Sequence, residues 1–83
     1  MRHVKIYVIP SCPYCVRAKD ILKKHNVAFE EIDVAGDKDR RRWLVEQSGQ
    51  TTVPQIFFGE QSIGGCSDLE VIVKAGRLPG LLD

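Results

Sequence analysis

Two of the chain's three cysteines, Cys12 and Cys15, stand three residues apart in VIPSCPYC, directly ahead of an amphipathic stretch, VRAKDILKKH. A C-x-x-C pair either binds a metal or exchanges disulfides. Structural zinc takes four ligands, usually as two close pairs. Only Cys66, His3 and His25 remain to complete a set, and none of them forms a second pair. Proline is favoured at the first helical position, where its missing N–H would have no intrahelical partner. Pro13 therefore makes Cys12 an N-cap, with its sulfur facing the unpaired N–H groups of the first turn. The helix presents about half a positive charge there, which favours the thiolate, the reactive form of cysteine. Cys15 follows one turn later, within reach of Cys12, on an apolar face with Ala18 and Ile21 that should bury it and hold its proton. One accessible thiolate and one buried thiol is the asymmetry that thiol–disulfide exchange requires. Cys12 is the expected nucleophile and Cys15 the expected resolving thiol.

These residues need elements to position them. Residues 3–9, HVKIYVI, alternate and then run apolar, which predicts a strand buried on both faces and ended by Pro10. Residues 13–25 predict a helix with Cys15, Ala18, Ile21, Leu22 and His25 on one face. Residues 27–34, VAFEEIDV, predict a second strand. A second helix is predicted from Asp37 as cap to about Ser48, with Gly49 as its stop. TTVPQIFFGEQSIGG holds two apolar runs around Gly59–Glu60, a hairpin signal. SDLEVIVKAG predicts a third helix, with Ser67 and Glu70 as a capping box and Gly76 as the stop. A right-handed crossover makes the first two strands parallel, and the hairpin is antiparallel within itself. The expected fold class is α/β, a small mixed sheet with helices on both faces, in one domain over residues 1–83.

Composition sets the outer bounds. The 83 residues are 43% hydrophobic and 28% charged, as in an ordinary globular domain, and the net charge of +1 argues against a dedicated nucleic-acid binder. No apolar run is long enough to span a bilayer. The opening MRHVKIYVIP does not read as a secretory signal. Sparse, odd-numbered cysteines point to a reducing compartment, and a cytoplasmic protein is expected.

Taken together, CPYC at 12–15, TVP at 52–54 and GGCSDL at 64–69 resemble the dithiol glutaredoxins over the whole chain, in the family's order and spacing. The short length and SGQTTVPQIFF look most like the bacterial type, and thioredoxin's Trp-Cys-Gly-Pro-Cys is absent. The resemblance implies a thioredoxin-like fold, a four-stranded mixed sheet in the order β-α-β-α-β-β-α. It implies glutathione-dependent thiol–disulfide oxidoreduction, with glutathione as co-substrate and neither metal nor permanently bound cofactor. By resemblance, the bond between Val53 and Pro54 is cis and lies beside the thiol. The Thr52–Val53 backbone pairs with the cysteine of glutathione. The Ser67 and Asp68 N–H groups, in the segment opened by Cys66, take the γ-glutamyl carboxylate, and the Asp68 side chain lies near its ammonium. Tyr14 walls the groove, and Pro13 and Pro54 support the active site. Read locally, Ser67 and Asp68 are ordinary caps, Pro54 a strand-start proline and Tyr14 turn filler.

One position departs from the pattern. Many dithiol glutaredoxins carry a lysine three residues before the first cysteine that helps bind the glycine carboxylate of glutathione. Here that residue is Ile9, which is expected to weaken glutathione binding and leave Arg41 as the main cation. Arg41 matches the family's other contact to the glycine carboxylate of glutathione, although its RRR run reads equally as a solvated face. Cys66 is either a small residue at a helix entry or a thiol open to side disulfides, and Trp43 reads as helix packing. The expected partners are glutathione and disulfide-bonded or glutathionylated proteins, ribonucleotide reductase among them; no nucleic acid or membrane is expected, and the expected state is a monomer. Two other functions stay open. One is an iron–sulfur module sharing a cluster through Cys12 and external glutathione, against which Pro13 counts. The other is a dedicated ribonucleotide reductase donor fed by thioredoxin reductase, against which GGCSDL counts.

Overall fold

The computed structural model describes residues 2–82. Its elements are β1 (Val4–Val8), α1 (Pro13–Lys24), β2 (Glu30–Asp33), α2 (Lys38–Ser48), β3 (Gln55–Phe58), β4 (Gln61–Gly64), α3 (Cys66–Lys74) and α4 (Leu78–Leu82). The four strands form one sheet in the order β2-β1-β3-β4. β1 and β2 run parallel, from Lys5 opposite Glu30 to Val8 opposite Asp33. β3 lies antiparallel to β1, with Ile6 opposite Ile56, and to β4. This is the expected mixed sheet and connectivity, extended by one short helix.

Alternation along the central strands divides the core in two. Val4, Ile6 and Val8 of β1 and Ile56 and Phe58 of β3 face α1, α3 and α4, where Cys15, Ala18, Leu22, Leu69 and Leu78 meet them. Tyr7 and Phe57 face the other way, against Val34, just past β2, and Leu44 of α2. Each fully buried Phe, Ile or Leu here contributes about 1.5–3 kcal/mol. Trp43 is 41% exposed but joins this second layer, its ring 5.6 Å from Tyr7 and 5.7 Å from Phe57.

Three expectations are corrected. The second strand starts at Glu30, three residues later than 27–34 suggests, because residues 26 and 27 finish α1 instead. Asn26 turns left-handed at φ 59°. Its N–H reaches the Lys23 carbonyl, and the Val27 N–H reaches the Leu22 carbonyl at 2.9 Å, closing a Schellman motif. Val27 is apolar because it packs under that turn. His25 is the exposed C-cap of α1 and takes no part in its apolar face.

α3 is capped differently from its S-x-x-E signal. Gly65 is the N-cap, and the Asp68 carboxylate accepts the Gly65 N–H at 2.9 Å. Glu70 points elsewhere, to Arg17 of α1 at 3.1 Å and to the Cys66 thiol at 3.5 Å. α4 escapes the sequence reading because Pro79 and Gly80 look like breakers. Leu78 is buried nonetheless, and the Leu82 carbonyl accepts the Arg2 N–H at 2.7 Å.

Candidate active site

Pro13 opens α1, and Cys12 is its N-cap with extended backbone. The Cys15 N–H, an orphan of the first turn, donates to the Cys12 sulfur at 3.2 Å. The Cys12 thiol lies 3.7 Å from the Val53 carbonyl, so segments 41 residues apart in the chain meet at this sulfur. Cys12 is half-buried, whereas Cys15 is 1% exposed within the core. Burial, and then the hydrogen bond that its thiol makes to Cys12, push Cys15 up to about 12. At neutral pH Cys15 holds its proton, and the two thiols of the pair are chemically unequal.

Beside the pair runs an open groove of about 740 Å³, within the range of about 300–1,000 Å³ usual for small-ligand sites. Tyr14, 63% exposed, stands on one side. Thr52, Val53 and Pro54 line it, and the Val53–Pro54 bond is cis. Cys66, Ser67 and Asp68 face them from the start of α3. The first intrahelical bond of α3 runs from the Leu69 N–H to the Gly65 carbonyl. The Ser67 and Asp68 N–H groups therefore belong to the unpaired first turn, at the positive end of the helix.

Two glycines permit this approach. Gly64 sits at φ 108°, and a Cβ there would collide with the Asp68 carboxylate that caps α3. At Gly65 a Cβ would lie 3.3 Å from the Pro54 carbonyl, so the missing side chain lets α3 begin against the β3 lead-in.

Cys66 lines the groove but its side chain is 4% exposed, and its thiol donates to Glu70 Oε1 at 3.5 Å. Burial and the Glu70 carboxylate both push this thiol up. Arg41 is exposed and does not line the main groove. It borders an adjoining depression with Lys38 and Arg42, which shares Gln50, Thr52 and Val53 with the groove. Ile9 is half-buried and packs on the Tyr7–Leu44–Phe57 layer. Among the described residues no three His, Cys, Asp or Glu side chains are grouped to hold a metal ion, and no helix is long and apolar enough to cross a membrane.

Gln50 and Gln55 are the residues that motif reading missed. Gln50 lines both depressions. Gln55 is 0% exposed, and its amide nitrogen donates to Gln50 Oε1 at 3.0 Å and to the Thr52 carbonyl at 2.9 Å. The available signal was a lone amide inside the apolar run VPQIFF.

The Glutaredoxin family model matches residues 4–63. A glutaredoxin of Pseudomonas aeruginosa is 46% identical over 82 residues, covering 99% of this chain and 98% of that protein. The solution structure of glutaredoxin from Brucella melitensis superposes with a TM-score of 0.88 at 44% identity, covering 99% of this chain and 89% of that one. A crystal structure of a buckwheat glutaredoxin–glutathione complex superposes with a TM-score of 0.89 at 26% identity, covering 98% and 76%.

Proposed function

The chain belongs to the glutaredoxin family, and from that premise we propose that it is a glutathione-dependent thiol–disulfide oxidoreductase with Cys12 as nucleophile and Cys15 as resolving thiol. One observation carries the assignment of roles: the Cys15 N–H points at the Cys12 sulfur while the Cys15 sulfur is sealed in the core.

The Cys12 thiolate attacks the glutathione sulfur of a mixed disulfide. A new S–S bond forms to Cys12 as the old one breaks, and the target sulfur departs and takes a proton. A second glutathione thiolate attacks the glutathione sulfur of the adduct, giving glutathione disulfide and restoring the Cys12 thiolate. Charge on Cys12 is met at each stage by the Cys15 N–H and the N-terminus of α1. For a protein disulfide, Cys12 forms the mixed disulfide and Cys15 gives up its proton to resolve it, leaving a Cys12–Cys15 bond for glutathione to reduce.

The groove supplies a docking geometry. The Val53 backbone pairs with the cysteine of glutathione as a short added strand. The Ser67 and Asp68 N–H groups take the γ-glutamyl carboxylate, with the Asp68 carboxylate near the ammonium, and Tyr14 covers the tripeptide. Arg41 receives the glycine carboxylate in the adjoining basic depression, which shares Thr52 and Val53 with the groove. The partners proposed are glutathionylated and disulfide-bonded proteins, including ribonucleotide reductase, met by a cytoplasmic monomer. The support for that compartment is the sparse cysteine content.

Glutathione-coupled reduction of a small glutathione mixed disulfide tests the reading. Cys12→Ser is expected to lose all turnover. Cys15→Ser is expected to keep deglutathionylation and lose reduction of protein disulfides. Turnover in Cys12→Ser at the wild-type rate would overturn the assignment.

A further inference from the structure

Gln55 is the buried polar side chain of the core among the described residues, and its Oε1 has no hydrogen-bond partner. A methionine would fill the same volume without an orphaned acceptor, so the amide is a liability unless its donors are used. Both are. One N–H reaches the side chain of Gln50, and the other reaches the backbone carbonyl of Thr52.

The second bond has a geometric consequence. The Thr52 carbonyl and the Val53 N–H belong to one peptide unit. That unit is planar and trans, so its C=O and N–H point in opposite directions. Gln55 draws the carbonyl inward, and the Val53 N–H is thereby turned outward. That N–H has no partner among the described residues, and Val53 lines the groove beside Cys12.

We propose that Gln55 is a positioning residue: its buried amide fixes the Thr52–Val53 peptide plane so that the Val53 N–H faces an incoming glutathionyl backbone. This rests on the docking of glutathione along Val53 described above. Gln55 never touches the ligand. It sets the angle of a donor that does, and the Gln50 contact braces the same loop from the solvent side.

Gln55→Met removes both donors at nearly constant volume. Losing one well-aimed neutral hydrogen bond corresponds to a rise of about two- to tenfold in the KM for the glutathione mixed disulfide. The kcat and the rate of Cys12 alkylation by iodoacetamide should stay at wild-type values, because the Cys15 N–H contact to Cys12 is untouched. A folded Gln55→Met variant with unchanged KM overturns the proposal. Gln55→Asn keeps an amide one methylene short of the Thr52 carbonyl and should raise KM in the same way; wild-type KM in that variant counts against the role.

The Val53 amide resonance separates this proposal from the docking reading on which it rests. In wild type it should shift when Cys12 is glutathionylated, and the shift should shrink in Gln55→Met. An equal shift in both proteins sinks the positioning role alone, whereas no shift in wild type sinks the docking itself. Should both variants fail to fold, scalar coupling between the Gln55 side-chain nitrogen and the Thr52 carbonyl carbon in wild type remains decisive. Its absence removes the bond on which the role depends.

Discussion

The backbone N–H of Cys15 lies 3.2 Å from the sulfur of Cys12, on the same residue whose own thiol is 1% exposed. One residue thus supplies a donor to the nucleophile and a protected thiol behind it. The donor is main chain, so it survives any substitution at position 15 except proline.

The first prediction follows from that division. Iodoacetamide at neutral pH should modify Cys12 first and leave Cys15 and Cys66 until the chain is unfolded. Both of the latter are buried and held as thiols, Cys15 by burial and its bond to Cys12, Cys66 by burial and Glu70. Mass mapping of the singly alkylated protein checks this, and modification at Cys66 ahead of Cys12 would contradict the geometry.

Stability should depend on pH at the alkaline end. Cys15 rises from 9.0 to about 12 on folding, chiefly by burial. Below about 9 both states hold the proton and the contribution is complete. Between about 9 and about 12 the unfolded chain has lost a proton that the folded chain keeps, so stability falls as pH rises. Urea midpoints of the reduced protein should decline from about pH 9 upward, and Cys15→Ser should decline less steeply. Cys66 shifts in the same direction and accounts for part of what remains.

Charge near the glycine end of glutathione is open to addition and removal. Ile9→Lys should lower the KM for glutathione and Arg41→Ala should raise it, each by about two- to fivefold, the scale of an exposed ion pair. Ile9 also packs on the α2 side of the sheet, so Ile9→Lys should lose some stability in urea. An unchanged KM in Ile9→Lys would end the idea that this position weakens glutathione binding.

Gly64→Ala tests the entry to α3. The φ of 108° and the collision with Asp68 act together, and the expected loss is about 1–3 kcal/mol by urea unfolding. Because Asp68 must swing away from Gly65, the KM for glutathione should rise as well. Full stability with an unaltered KM would show that α3 can start without this contact.

How far the chain could be read beforehand depends on how local the signal is. Pro13 after Cys12 and Asp37 before α2 are signals written in two or three residues, and both helices start there. Gly59–Glu60 marked the hairpin for the same reason. The start of α3 is ambiguous in the sequence because Ser67 and Glu70 satisfy a cap pattern equally well, and only the approach of α3 to Pro54 and Arg17 decides between registers. Val27 looked like a strand residue because packing under a helix end and packing in a sheet both ask for an apolar β-branched side chain. Gln55 carried no legible function at all, since its partners Gln50 and Thr52 matter only once the loop ahead of β3 has folded back.

The meeting of Cys12 with Val53 rests on β3 entering the sheet beside β1, Ile56 opposite Ile6 across some fifty residues of chain. Without that pairing Cys12 would still cap α1, yet nothing would stand opposite it to receive a tripeptide; the catalytic sulfur belongs to one helix and the site to the whole sheet.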